Sequence, residues 1–333
     1  MKKYRIATFD FATEDIYEVI RNQFPPNFEL LTLTDGSLED RIRIGKEADF
    51  FIAATGAIPT EVIAQAENLK MIQQQGVGFD KTDVELATER GIEVCITPEG
   101  TSIGVAEHVV LLILAVYKKI IKISNEMYEG KFPMWDYRTE CFEINGKTTG
   151  FVGFGRIARE SATRLQAFNS NIVFYDSYVN MSKEEQKQLN VRQVGSLDEL
   201  LQESDIVSIH VPSNDETKGI VDKEFFRKMK NSAIFINTAR GDLVNEEDFF
   251  EAMRSGTIMG AGIDVFPMEP LQTDNEYIKL PNTVLTPHVS AGTVDALKAK
   301  INHVCDNINR FINGEETQHS LNKDLIKINT GSK

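Results

Sequence analysis

Cysteine is scarce in this sequence: Cys95, Cys141 and Cys305 stand far apart among 333 residues, with no CxxC pair and no Cys/His spacing suited to zinc. Reduced thiols and no metal site are expected. Positive charge is in deficit as well. Lys and Arg total 36 against 50 Asp and Glu, a formal net charge of −14. That balance argues against nucleic acid or an anionic membrane as partner, because both are held by clustered cations. Long hydrophobic runs are missing too. The longest, Val105 to Val116, is too short to span a bilayer and has Glu107 and His108 near its start. Met1 to Ile6 enters a strand-like segment with no apolar leader, so a cytoplasmic location is expected. Apolar residues themselves are not short: 41% hydrophobic and 26% charged residues support two globular domains of about 150 residues each.

What is present is a rhythm. Apolar runs of strand length alternate with helix-period stretches: Tyr4 to Phe9, Glu14 to Asn22, Phe28 to Leu33, Leu38 to Lys46, then Phe50 to Ala53 and Met71 to Gln75. This is the βαβ pattern of a parallel sheet covered on both faces. Ser102 to Gly130 reads as one long helix, with Ser102 as N-cap and Gly130 after the last turn. Thr149 to Val152, Ile172 to Tyr175, Ile206 to Val211, Ala233 to Asn237 and Gly260 to Val265 then predict a second doubly wound sheet. A last helix over Val294 to Ile312 is stopped by Asn313-Gly314 and followed by a polar tail.

In the second sheet, the run Gly150-Phe151-Val152-Gly153-Phe154-Gly155-Arg156-Ile157-Ala158 carries a strand through GxGxxA into a helix. Gly153 permits the tight turn, Gly155 lets a pyrophosphate approach the backbone, and the small Ala158 lets helix and strand pack closely. The phosphates would sit on the helix N-terminus, where free N–H groups favour negative charge. Glycines also mark ordinary turns, so context has to decide. The next strand ends in Asp176, placed to meet the adenosine ribose hydroxyls and repel a 2′-phosphate, which favours NAD over NADP. A plain strand-ending turn is the rival reading of Asp176.

Three segments end strands of this sheet, the edge at which doubly wound folds bind ligands. Asn237-Thr238-Ala239-Arg240-Gly241 supplies a guanidinium fork suited to a carboxylate, although Arg240 alone also reads as a surface cation paired with Asp242 or Glu246. Gly262 to Pro270 supplies Asp264 and Glu269, and Pro287 to Gly292 supplies His288. An imidazole held against a carboxylate has its charged form stabilised and can serve as an acid catalyst. Taken singly, Glu269 is also compatible with a solvated loop charge and His288 with a satisfied turn histidine.

Together these blocks resemble the D-isomer-specific 2-hydroxyacid dehydrogenase family. The resemblance covers nearly the whole chain, through Gln75 to Asp83, Val105 to His108, Gly150 to Ala158, His210 to Pro212, Asn214 to Thr217, Asn237 to Gly241, Gly262 to Pro270 and Pro287 to Gly292. It implies an α/β fold of two doubly wound parallel-sheet domains. A Rossmann NAD-binding domain at 102–289 would be inserted in a discontinuous, flavodoxin-like substrate domain at 1–101 plus 290–333. The implied activity is NAD-dependent interconversion of a small 2-keto acid and its D-2-hydroxy acid, with no metal. In such enzymes Arg240 would clamp the substrate carboxylate and carbonyl oxygen, His288 would exchange the proton, and Glu269 would orient the imidazole. Asp264 would hold the nicotinamide carboxamide, and backbone N–H groups of Val77 and Gly78 would bind the substrate carboxylate. Gly153, Gly155, Arg156, Ile157, Asp176, Val211, Pro212, Thr217, Thr238 and Ala239 would complete the cofactor site with Arg240, Asp264 and His288.

Some relatives that bind phosphorylated acids place an Arg in the loop that here reads Ala53-Ala54-Thr55-Gly56-Ala57, so an unphosphorylated acid is expected. Formate dehydrogenases share the fold but pair the His with Gln, whereas this chain has Glu269. Phosphite oxidation uses the same residue types and stays open. A dinucleotide-sensing corepressor on the same fold is the rival from another class. The segment Phe132 to Asn145, with Trp135 and Cys141, joins subunits in similar proteins, so a homodimer is expected. His108, following Glu107, reads as a helix-packing residue.

Overall fold

The computed structural model describes residues 3–54, 56–79 and 81–330. Met1, Lys2, Thr55, Asp80 and Gly331 to Lys333, which enter some of the sequence readings, lie outside the described residues. The chain begins β1 (Tyr4–Thr8), α1 (Glu14–Arg21), β2 (Phe28–Leu31), α2 (Leu38–Glu47), β3 (Phe50–Ala53), α3 (Thr60–Gln65), β4 (Met71–Gln74), α4 (Val84–Glu89), β5 (Glu93–Cys95). Next come α5 (Ser102–Lys118), α6 (Ile120–Tyr128), β6 (Thr148–Val152), α7 (Arg156–Gln166), β7 (Asn171–Tyr175), α8 (Lys183–Leu189), β8 (Arg192–Gln193), α9 (Leu197–Glu203) and β9 (Ile206–Ile209). It closes with α10 (Lys223–Lys228), β10 (Ile234–Asn237), α11 (Glu246–Arg254), β11 (Gly260–Ile263), β12 (Thr283–Leu285), α12 (Val294–Ile312) and α13 (Lys323–Thr330).

Two compact units result, 1–101 with 294–333, and 102–293. The first holds a sheet in the order β2-β1-β3-β4-β5 and the second a sheet in the order β12-β11-β10-β9-β6-β7-β8, with every paired neighbour parallel. Parallel pairing needs crossovers, and the helices that make them cover both sheet faces, so the central strands are buried. β3, β9 and β10 are buried at every position. In the first unit α12 lays Ile301, Val304 and Ile308 against Ile6, Ile52 and Met71.

Two expectations are corrected. The helix expected over 102–130 is two helices, broken at Lys119 with φ +50°. The N–H of Phe142 donates to the Tyr117 carbonyl at 3.0 Å and the Cys141 thiol to the Lys118 carbonyl at 3.5 Å, so a distant segment takes the acceptors that a continuing helix would need. The return to the first unit falls at Val294 rather than at 290, because Asp264 holds the N–H groups of Val289 and Ser290 in the second unit. Leu321 N–H donates to the Val94 carbonyl and Ile96 N–H to the His319 carbonyl, stitching the tail onto β5 ahead of α13.

Candidate active site

The glycine turn is set by steric necessity. Gly153 has φ +87°, and a Cβ there would lie 2.9 Å from the His210 carbonyl carbon. Its N–H donates to the Tyr175 carbonyl, and His210 N–H donates to the Val152 carbonyl, which fixes the turn between β7 and β9. Gly155 is the N-cap of α7, and a Cβ there would meet nothing within 4 Å. The first N–H groups of α7, from Arg156 and Ile157 onward, have no partner within the helix. Ala158 is fully buried against Phe151, Phe154 and Phe174. Asp176 ends β7, accepting from Phe154 N–H at 2.8 Å on one oxygen and from the N–H groups of Tyr178 and Val179 on the other. Its negative charge therefore lies over the glycine turn. The His210 ring, bonded to the Ser208 hydroxyl at 2.8 Å, is pushed down to about 3 by loss of hydration and stays neutral.

An open, N–H-rich helix start beside a carboxylate fits the diphosphate and adenosine ribose of a dinucleotide. The Thr238 hydroxyl adds a second mark: it is buried and has no partner among the described residues. Val211 and Pro212 follow β9, where the Thr217 hydroxyl donates to the Pro212 carbonyl at 2.6 Å and closes the turn. Ala239 N–H donates to the Asn237 side chain, whose amide in turn donates to the Arg240 carbonyl.

The register of β10, β11 and β12 brings the chemical residues to one edge. Ile236 pairs with Gly262 and Gly262 with Val284, so the segments after these strands emerge side by side. Gly241 then seats the Arg240 block on the Glu269 loop. A Cβ at Gly241 would lie 2.0 Å from the Phe266 carbonyl carbon and 2.2 Å from the Pro267 nitrogen. Glu269 accepts from Phe266 N–H at 3.1 Å and meets His288 Nδ1 with both oxygens, at 3.1 and 3.0 Å. Both side chains are about a quarter exposed. A carboxylate accepts only, so Nδ1 carries the proton and Nε2 faces its surroundings without a partner among the described residues.

Asp264 has partners of its own within the protein. It is fully buried, and its carboxylate is engaged by the Thr286 hydroxyl and by the N–H groups of Val289 and Ser290. Its carbonyl accepts from His288 N–H at 2.7 Å. It organises the His288 segment from within, and Thr286 is the partner that sequence reading missed. Val77 and Gly78 lie in the first unit, after β4, and neither N–H donates a hydrogen bond among the described residues. Those residues contain no group of three metal-ligating side chains, and no helix long and apolar enough to cross a membrane.

A profile of the D-isomer specific 2-hydroxyacid dehydrogenase NAD-binding domain matches residues 110–290. The chain belongs to this family. It is 39% identical over 270 residues to a D-3-phosphoglycerate dehydrogenase of Archaeoglobus fulgidus, a match that takes in 80% of this chain and 50% of that one. The chain thus spans about half the length of the phosphoglycerate dehydrogenases it matches. A glyoxylate reductase of Korarchaeum cryptofilum is 33% identical, with 96% of this chain and 97% of that one aligned. Among solved structures, the NAD complex of a Staphylococcus aureus formate dehydrogenase superposes with TM-score 0.82 at 30% identity, over 96% of this chain and 97% of that one. The family's cofactor is NAD, and the second unit carries its binding domain.

Proposed function

We propose that the protein is an NAD-dependent oxidoreductase that interconverts a short 2-keto acid and its D-2-hydroxy acid. The observation that carries this reading is the His288–Glu269 pair, held at the strand edge beside the Arg240 block by the close seat of Gly241. The nicotinamide, when bound, supplies or accepts the hydride. Arg240 would hold the substrate carboxylate with its planar fork and meet the charge that grows on the carbonyl oxygen. His288 would give its Nε2 proton to that oxygen in reduction and recover it in oxidation, while Glu269 keeps the imidazole oriented through Nδ1.

An unphosphorylated substrate is supported by the loop after β3. The N–H groups of Ala54 and Gly56 both donate to the Asp10 carboxylate, at 2.6 and 2.7 Å, so the loop is already paired with an anion and its side chains bring no cation. Glyoxylate and hydroxypyruvate, which name several relatives of similar length, are the first candidates. Exposed Phe132, Met134 and Trp135 support a homodimer through the 132–145 segment, to be read by light scattering. A cytoplasmic location stays part of the reading.

The test is NADH oxidation at a panel of 2-keto acids, with Arg240→Gln and His288→Ala in parallel and NADPH as comparison. Turnover of a short keto acid, lost in both variants and preferring NADH, is expected. Tight NADH binding without turnover of any acid would replace the enzyme reading with a dinucleotide sensor.

A further inference from the structure

Helix α5 packs on β11 through two glycines. A Cβ at Gly260 would lie 2.9 Å from Val116 Cγ1, and one at Gly262 would lie 2.8 Å from Leu112 Cβ. Four residues of helix advance about 6.0 Å and two residues of strand about 6.6 Å. The two elements therefore stay in step as they run in opposite directions. One further step sets His108 opposite Asp264, and the side chains meet there. His108 Nε2 lies 2.9 Å from the Thr286 hydroxyl and 3.6 Å from the nearer Asp264 oxygen.

Proton bookkeeping gives this contact a direction. The Thr286 hydroxyl lies 2.6 Å from that same Asp264 oxygen and has one hydrogen, which the carboxylate takes because it only accepts. Thr286 must then accept from His108, so the His108 proton resides on Nε2. Burial lowers the His108 pKa, against the opposing pull of Asp264, and keeps the ring a neutral donor. Asp264 passes the restraint on. Its oxygens hold Val289 and Ser290 N–H, and its carbonyl holds the N–H of His288, whose φ is +53°. A non-glycine residue in that region persists only where its surroundings fix it.

We propose that His108 is a positioning residue for His288, acting through the Thr286 hydroxyl and Asp264 to hold the 286–290 backbone in its left-handed turn. This rests on the oxidoreductase reading above. Without the His108 donor, Thr286 is free to rotate away from Asp264, and the imidazole loses its fixed place against the substrate oxygen. Small misplacements of reacting groups cost rate steeply.

The experiment compares His108→Leu, Thr286→Val, their double variant and His108→Gln, whose side-chain amide can donate as Nε2 does. Keto-acid turnover, NADH affinity and melting temperature are measured, and histidine ring signals are followed by NMR in the apoprotein. The expected result is a loss of kcat of about tenfold or more in His108→Leu, with NADH affinity unchanged. The double variant should be no slower than the slower single, as residues acting through one path are not additive. His108→Gln should recover most of the rate. In NMR the His288 ring signals should shift or broaden in His108→Leu and return in His108→Gln. A wild-type kcat in His108→Leu, or additive losses in the double variant, would overturn the proposal. If no keto acid is turned over, the function reading fails alone. The NMR comparison then decides the positioning role: a response of His288 to His108→Leu upholds it, and unchanged signals overturn it.

Discussion

Two glycines separated by Phe154 in the dinucleotide turn should respond to the same added methyl in opposite ways. At Gly155 the backbone is in an extended conformation open to any residue, and the new Cβ meets nothing within 4 Å. Gly155→Ala should fold normally, at a cost under about 1 kcal/mol for a poorer N-cap. It places a methyl where the pyrophosphate must come closest to the start of α7, so NADH affinity should fall at least about tenfold, or about 1.4 kcal/mol. At Gly153 the methyl enters a left-handed conformation and lies 2.9 to 3.0 Å from the His210 backbone. The left-handed penalty of about 1–2 kcal/mol together with that crowding comes to roughly 2–4 kcal/mol, a drop of roughly 4–16 °C for a unit of this size. Calorimetry and an NADH fluorescence titration separate the two. Gly155→Ala protein that binds NADH as tightly as wild type would refute the placement of the diphosphate, whatever happens at Gly153.

Gly241→Ala must push the Arg240 block from the Glu269 loop, because its Cβ would lie 2.0 Å from backbone that ordinary contact keeps beyond 3.4 Å. A shift of about 1 Å should lower kcat/KM about a hundredfold in steady-state assays while NADH still binds. In the first unit, burial raises the Asp40 carboxyl, but Arg43 and the N–H groups of Thr34, Asp35 and Gly36 outweigh it and bring it down to about 2. A depressed carboxylate stabilises the fold above its unfolded value, and that contribution is lost as pH falls through its folded value. Asp40→Asn should thus cost up to about 2 kcal/mol at neutral pH, with the gap to wild type closing between about pH 4 and pH 2 in urea titrations; a gap constant with pH would contradict the assignment.

The parts of the fold legible in the sequence are those written in apolar period. Strands such as Phe50–Ala53 and Ile234–Asn237 are buried on both faces and announce themselves as unbroken apolar runs. The glycine turn was legible for a similar reason, since a tight turn at Gly153 and an open helix start at Gly155 each restrict residue type. What was not legible was decided by distant polar groups. Lys119 gives no local sign of a break, because the acceptors there are taken by Cys141 and Phe142. The tail is fixed by main-chain bonds to Val94 and Ile96 and by the Asn322 side chain, which accepts from Val94 N–H, a pattern with no hydrophobic signature.

The candidate site divides along the same line. Arg240, Glu269 and His288 are recognisable by residue type at strand ends, and parallel register is enough to bring strand ends together. The inner support is harder to read, because Asp264 and Thr286 resemble ligand-facing polar residues until their partners are seen. One signal was nonetheless present. Gly260, Gly262 and Asp264 recur with the period of a strand, and Val116, Leu112 and His108 with the period of a helix. Two glycines on one strand face call for a helix against them, and the near match of about 6.0 Å to about 6.6 Å sets position 108 opposite Asp264. A histidine at that point, next to a fully buried carboxylate, is therefore a partner in the site's scaffold rather than a packing accident.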